Sequence, residues 1–271
     1  MRGITLKNVI GNEWDLTQTF SFLSNPKGLG MERKITYVQI GNRNIITEDI
    51  LKQKNPSGKI MFDTYQRYQD FCKFIQHRPL FLIYTAADTY MMQVIVEKFT
   101  KGETETAGIP GEITLNGITT WYKQIYVENV SQDGGKIYPF TYDYVYSDHG
   151  QGEIEFIAES TERSPVRISI LGPCTNPSWS HYLNGILQTT GKITCNIADG
   201  RRLVVDTTKI PYEIAEYGAN GNYMKDLYQD SDFSTERFVL AGYGTNSINF
   251  SHEGEGEMKA VVEVRVEHEA V

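Results

Sequence analysis

Turn-forming residues divide this sequence into short segments, and their spacing is the feature that most limits how the chain can fold. In the second half, strand-like segments alternate with turn signals at intervals of about 8–12 residues, which is typical of β-sandwiches. Asn184-Gly185, Asp199-Gly200 and Asn220-Gly221 are such signals, because Asn, Asp and Gly tolerate the positive φ of hairpin turns. The spacing predicts a mainly β protein with a sandwich in its second half.

Apolar or alternating segments predict strands along the whole chain. Seventeen Tyr and 12 Phe support this prediction, because aromatic residues favour strands. Two polar, Gly-containing segments, 25–30 and 102–111, are predicted as loops. The predicted strands are Ile4–Leu6, Thr17–Leu23, Lys34–Ile40, Leu80–Tyr84, Met91–Val96, Glu112–Leu115, Thr119–Val127, Glu153–Ala158, Val166–Leu171, Lys192–Ile197, Arg202–Val205, Arg237–Leu240, Ser247–Phe250 and Lys259–Val266.

One clear helix is predicted from Asp63 to His77. Its apolar residues keep to one face of a helix with 3.6 residues per turn. Asp63 or Thr64 can cap its start, and a proline at position 79 ends it. The predicted buried face contains Tyr65, Tyr68, Phe71, Cys72, Phe74 and Ile75. A second, short helix is predicted at 223–228.

Two domains are predicted, 1–137 and 138–271. The segment 132–152 contains several Gly residues and a Pro, so the boundary is placed in it, near Ile137. Residues 1–137 contain 16 Lys and Arg against 14 Asp and Glu, whereas the remainder contains 10 against 20. The acidic balance argues against a general nucleic-acid binder, which needs basic groups to neutralise phosphates.

Cysteine usage and hydropathy indicate a chain made in a reducing cytoplasm. Cys72, Cys174 and Cys195 form no CxxC motif. The N-terminal residues lack an apolar stretch of signal length, and no run of 18 apolar residues predicts a membrane span.

The sequence offers no credible catalytic, cofactor or metal site, so we expect a protein that is not an enzyme. The histidines lack a metal-binding spacing, and Asp148-His149 near Ser147 has no nucleophile elbow. Asp226, Asp230 and Asp232 do not follow a calcium-loop pattern. Glu153 and Glu155 would share one face of a strand, which does not make an acid/base pair.

Trp179 leaves two interpretations open. An aromatic side chain on a sandwich can stack on a sugar, or it can fill the core or an interface. The structural role is favoured, and a carbohydrate-binding adhesion module for host cell-wall polysaccharide remains the alternative function.

Several segments, in order along the chain, resemble the distal tail proteins of siphophages that infect Gram-positive bacteria. The resemblance implies an N-terminal β-sandwich with one helix and a galectin-like C-terminal β-sandwich. The length indicates no inserted sugar-binding module. The segments are Ile4–Leu6, the aromatic helix Tyr65–Ile75 with Pro79–Tyr84 after it, Glu112–Leu115, Trp121-Tyr122, Ile168–Pro173, Asn176–Trp179, Gly191–Thr194, Gly200–Asp206 and Phe238–Asn246.

The same resemblance implies a function in the virion. Six copies of the N-terminal domain would close into a ring that continues the tail tube and lets DNA pass. The implied partners are further copies of the chain, the tail tube protein, and a tail-associated hub or lysin protein. The outer domain is a candidate attachment point for receptor-binding proteins. The expected location is the virion tail tip, after assembly in the bacterial cytoplasm.

Overall fold

The computed structural model describes residues 2–103, 108–128, 152–254 and 258–271. Strands make up 59% of the structure and helices 5%, which confirms the mainly β prediction. The predicted domain boundary at Ile137 lies outside the described residues. The chain folds into two compact units: unit 1 is Met1–Lys123 with His268–Val271, and unit 2 is Gln124–Glu267.

The strands are numbered in chain order, and one α-helix, α1 (Tyr65–Phe74), and one 3₁₀ helix (Tyr228–Asp230) join them. They are β1 (Gly3–Asn8), β2 (Glu13–Asp15), β3 (Leu23–Lys27), β4 (Arg33–Ile40), β5 (Arg43–Leu51), β6 (Ser57–Phe62), β7 (Leu80–Thr85), β8 (Thr89–Lys101), β9 (Ile109–Gly117), β10 (Trp121–Glu128), β11 (Glu153–Ala158), β12 (Ser164–Leu171), β13 (Cys174–Thr175), β14 (Ser178–Leu183), β15 (Ile186–Lys192), β16 (Asn196–Ile197), β17 (Arg202–Asp206), β18 (Glu213–Tyr217), β19 (Tyr223–Asp226), β20 (Leu240–Ala241), β21 (Gly244–Ser251) and β22 (Lys259–His268).

Unit 1 is built on antiparallel strands in the order β10-β8-β7-β1-β2, with β9, β6 and β3 extending the sheet from β8. Alternate residues of β1 are buried, so Ile4 and Leu6 enter the core. Leu6 lies opposite Leu82, and Leu82 lies opposite Met92. The period of two predicted from the sequence therefore places one face of this sheet in the unit 1 core.

Helix α1 covers this core with aromatic side chains. Phe71 and Phe74 are buried, and the Phe71 ring lies 5.2 Å from that of Trp14 and 5.3 Å from that of Phe62. The Thr64 side chain accepts a hydrogen bond from the Arg67 amide, as predicted for a cap.

The helix differs from its prediction in two ways. Tyr65 is exposed because it occupies the first turn, at the margin of the buried face, and Cys72 is only partly buried. The helix also ends at Phe74 instead of His77. The Gln76 and His77 amides donate to the carbonyls of Lys73 and Phe74, which are the three-residue contacts of a tightened last turn.

The predicted strand Thr17–Leu23 is wrong, since only Leu23 belongs to a strand. The Asp15 carboxylate accepts from the Thr17 amide and hydroxyl and from the Gln18 side chain. These local bonds favour a turn over a sheet ladder. The predicted loop 25–30 is also partly wrong, because β3 extends to Lys27.

Unit 2 is built on two larger sheets whose inner faces share one core, and β13 and β16 pair separately as a small two-stranded sheet. One sheet has the order β19-β18-β17-β12-β22 and the other β11-β21-β14-β15. Phe156, Trp179 and Ile248 of the second sheet join Ile168 and Val264 of the first in this core. The turn between β14 and β15 is Asn184-Gly185, with φ of 49° and 78°, so the predicted hairpin turn is confirmed there.

Three predictions in unit 2 are wrong. The 223–228 segment starts as strand β19, because Tyr223 and Asp226 pair with β18, and a helix of one turn is too short to persist alone. The strand predicted at 192–197 is interrupted, since the amides of Ile193 and Thr194 donate to the backbone carbonyls of Pro177 and Asp230 instead. The strand predicted at 237–240 is reduced to β20, Leu240–Ala241.

Candidate interaction surfaces

The β4–β5 hairpin is the most conspicuous exposed apolar surface of unit 1. Its two strands form a sheet of their own, so among the described strands each pairs only with the other. Val38, Ile40, Ile45 and Ile46 are all exposed, and Ile40 reaches 62%. A two-stranded hairpin is marginally stable in water without further packing, so we expect another protein surface to pack against it.

Both faces of the hairpin are apolar. Tyr37 lies opposite Ile46 on one face, and Val38 lies opposite Ile45 on the other. The register shifts between Thr36 and Tyr37, which is the mark of a β-bulge that bends and twists a hairpin. The sequence predicted β4, but β5 was missed. The alternation of apolar and polar residues in 45–50 is broken at that bulge, which explains the omission.

Polar contacts fix the base of the hairpin, here called the root, within unit 1. Arg33 donates to Asp49 at 2.7 Å and to Glu269 at 2.5 Å. These two carboxylates raise the pKa of Arg33. Lys54, 7% exposed, donates to the carbonyl oxygens of Gly30 and Glu269. Burial lowers the Lys54 pKa, and the nearby Glu269 carboxylate opposes that shift.

A shallow polar cleft of about 260 Å³ opens on unit 2. Hydroxyl and amide side chains of β14, β15 and β21 line it, and Lys192 and Asp232 carry its charges. Sheet pairing brings these groups together: Ser178 lies opposite Lys192 and Ser251, and Ser180 lies opposite Asn249. The cleft could hydrogen-bond a polyhydroxylated ligand.

Trp179 fills the unit 2 core. It is 1% exposed, and its indole N–H donates to the Arg237 carbonyl. A Cβ at Gly191, the residue opposite, would lie 2.3 Å from the indole ring, so the sheet accommodates Trp179 only beside a glycine. The structural role favoured from the sequence is therefore found, and Trp179 offers no face to a sugar.

The carboxylates considered as catalytic or metal-binding are occupied locally. Asp226 accepts from the Tyr228 amide, Asp230 pairs with Lys225 at 2.9 Å, and Asp232 accepts from Ser234. Hydrogen bonds from Ser234 lower the Asp232 pKa. In the described ranges, no group of three or more His, Cys, Asp or Glu could hold a metal ion.

The remaining candidate residues that the structure describes form no catalytic group either. Glu153 and Glu155 are not buried and lie opposite Asn249 and Ser247 on β21, on one face of β11 as predicted. Burial raises the pKa of Cys174 to about 11, which makes it a poor nucleophile. The Ser147, Asp148 and His149 group lies outside the described residues.

Unit 2 also exposes apolar side chains at loops and at a strand end. Ile210, between β17 and β18, is 97% exposed, and Ile186 and Tyr243 are exposed as well. The turn before Ile210 is ordered by bonds from Thr208 to the Asp206 carboxylate. In the part of the chain that the structure describes, no helix is long and apolar enough to cross a membrane.

Solved structures share this fold over the full chain. A chain of the phage p2 baseplate, in its activated conformation with Sr, covers 100% of both chains at 17% identity and a TM-score of 0.68. The SPP1 Dit protein, described as a paradigm of the hub adsorption apparatus in phages that infect Gram-positive bacteria, covers 96% of this chain and 98% of its own at 10% identity, with a TM-score of 0.61. No curated protein matches the chain.

The fold is thus shared with a chain of the phage p2 baseplate and with the SPP1 Dit protein. Residues 3–118 match the family model for the N-terminal domain of distal tail proteins. Over these residues, which make up less than half of the sequence, the chain is similar to distal tail proteins, as the resemblance in its sequence predicts.

Proposed function

We propose that this chain is a distal tail protein of a phage and that it forms a ring, of six copies, which joins the tail tube to the proteins of the tail tip. Unit 1 supplies the ring, and unit 2, a galectin-like domain, faces outward. The ring binds the tail tube protein on one side and a hub or lysin protein on the other. Unit 2 is available to receptor-binding proteins, with Ile210 and Tyr243 as exposed apolar contacts.

The β4–β5 hairpin is the observation that carries this proposal. Each of its strands has an edge that no other described strand pairs with, and both faces expose aliphatic side chains. Unpaired edges favour strand addition, and exposed apolar patches favour protein contacts. A second copy of the chain can provide both a strand edge and an apolar surface. Such a head-to-tail contact, repeated around an axis, closes a ring.

The charge distribution agrees with a ring that DNA traverses. The first 137 residues are nearly neutral, which suits close packing of identical copies. A channel through the ring should not grip DNA, so we expect few unpaired Lys and Arg along its wall. Assembly in the bacterial cytoplasm agrees with free cysteines at 72, 174 and 195.

Light scattering and negative-stain microscopy at increasing protein concentration test the ring. The wild-type chain should reach about six times the monomer mass and show a central hole. The double variant V38S/I45S removes a cross-strand aliphatic pair from one face and should remain monomeric at concentrations where the wild type assembles. I186S/L187S removes a similar exposed pair from unit 2 and should assemble normally.

A wild-type chain that stays monomeric at every concentration, even with tail tube and hub proteins added, would overturn the ring. Equal assembly of V38S/I45S and the wild type would overturn the role of the hairpin.

The polar cleft of unit 2 supports a second candidate function, binding of host cell-wall polysaccharide. Its hydroxyl and amide groups suit a sugar, although Trp179 cannot stack on one. Calorimetric titration with purified polysaccharide tests it, with N249A as the cleft variant. Absence of heat at millimolar sugar, or equal binding by N249A, would exclude the cleft.

A further inference from the structure

The root of the hairpin is where the chain controls the direction in which β4 and β5 leave unit 1. Glu32 and Lys52 close the root through a backbone bond of 2.8 Å and an ion pair of 2.5 Å. Beyond it, most side chains of both strands are exposed. Because so little of the hairpin is buried, contacts at the root must set its orientation.

Residues 268–271 return to unit 1 and contact this root. The Glu269 carboxylate accepts from Arg33 on β4, and the same guanidinium donates to Asp49 on β5. One acidic side chain is thereby linked to both strands. Two residues further, Val271 packs against the unit 1 core, which anchors the segment.

Lys54 connects the same residue to both ends of the hairpin. Its ammonium donates to the backbone carbonyl of Gly30, which precedes β4, and to that of Glu269, while Lys54 itself follows β5. A buried ammonium is unfavourable unless it is hydrogen-bonded. The two carbonyls must therefore stay in place, and this restricts the root to one geometry.

We propose that residues 268–271, through Glu269 and its contacts with Arg33 and Lys54, act as a latch that orients the β4–β5 hairpin for assembly with a neighbouring copy. Arg33, Lys54 and Glu269 are positioning residues, since they act through the hairpin and do not themselves form the ring contact. The role in assembly rests on the ring function proposed above, but the latch itself can be measured in a monomer.

Amide hydrogen exchange in the dilute full-length chain tests the latch. Glu269→Gln keeps the size of the side chain and removes its charge. Lys54→Met leaves two carbonyls without their donor. Each should accelerate exchange in residues 33–51 by about tenfold, the scale of one hydrogen bond to a charged group. Exchange in β1, β7 and β8 should not change.

Glu13→Gln is the matched control, because it removes an exposed ion pair with Lys7 elsewhere in unit 1. It should leave the hairpin unaffected. Unchanged exchange at 33–51 in both latch variants would overturn the proposal. So would a uniform acceleration throughout unit 1, because that would mean a general structural role.

Light scattering of the same variants then tests the link to assembly. Both latch variants should need about tenfold more protein than the wild type to form rings. Ring formation at the wild-type concentration, despite a loosened hairpin, would overturn the role in assembly. If the wild type forms no ring, the proposed function fails, and hydrogen exchange alone still decides whether the latch exists.

Discussion

His181 shows how one buried polar residue depends on its neighbours. Asn246 donates its amide hydrogens to the carbonyls of Gly242 and Gly244, so its oxygen must accept, and His181 Nε2 donates to it at 3.1 Å. His181 Nδ1 has no hydrogen-bond partner among the described residues. Burial, with a smaller contribution from Arg163, lowers the His181 pKa, and the Asn246 bond only partly offsets this.

This geometry makes unit 2 sensitive to acid. The unfolded chain takes up a proton at His181 near pH 6.5, whereas the folded chain does so only at a lower pH. The stability that a neutral His181 contributes is therefore fully present above pH 6.5 and is lost as the pH falls towards the pKa of His181 in the folded chain. Between about pH 7.5 and 5.5, we expect the free energy of unfolding, measured with urea, to fall by on the order of 1 kcal/mol.

His181→Gln supplies the comparison, because it cannot titrate. Its urea stability should be lower than that of the wild type at the higher pH and should change less between the two pH values. An identical pH dependence in both proteins would assign the acid sensitivity to other groups.

At the level of elements, the cap of α1 was predicted from the sequence and can be tested separately. Thr64→Ala removes the acceptor for the Arg67 amide, and loss of a side-chain cap costs about 1 kcal/mol. We expect a corresponding decrease in the free energy of unfolding of unit 1. Thr64→Ser should retain most of the stability, and a loss as large as that of T64A would mean that the methyl group matters instead.

One strand with regular alternation was predicted accurately, and two irregular segments were not. β11 was predicted with its observed bounds because apolar residues stand at every second position, and these are the residues that the structure buries. β5 was missed because of the bulge near Thr47, and Thr17–Leu23 was misassigned because Asp15 organises a turn there. In both cases the deciding contacts are local backbone or side-chain bonds that hydrophobic periodicity does not detect.

On the scale of the whole molecule, the described residues form a buried core in each of the two units. Gly191→Ala tests whether destabilising one core leaves the other core unaffected. The new Cβ would lie 2.3 Å from the Trp179 ring, and such overpacking costs about 3 kcal/mol. Hydrogen exchange should accelerate in β14, β15 and β21 and stay at its wild-type rate in β1, β7 and β8.

Gly30→Ala is the control for this substitution, because no heavy atom lies within 4 Å of the place that an added Cβ would take. It should change exchange in neither core. Acceleration in both units of G191A would mean that the two cores unfold together.

The resemblance to distal tail proteins and the mainly β fold were predictable from segments spread along the sequence, whereas the candidate interaction surface was not. Lys34–Ile40 was recognised as a strand, but the sequence does not reveal that both its faces lie in solvent. The latch could not be predicted from the sequence either, because Arg33 and Glu269 are 236 positions apart. Contacts between such distant residues depend on the completed fold.

The exposed hairpin has a consequence for handling the free protein. Apolar faces and unpaired edges that favour a closed ring also favour open polymers when the geometry of closure is missed. The net charge of −8 opposes such polymers, because like-charged copies repel one another. High salt screens that repulsion, so colloidal stability before assembly should be greatest in dilute, low-salt buffer.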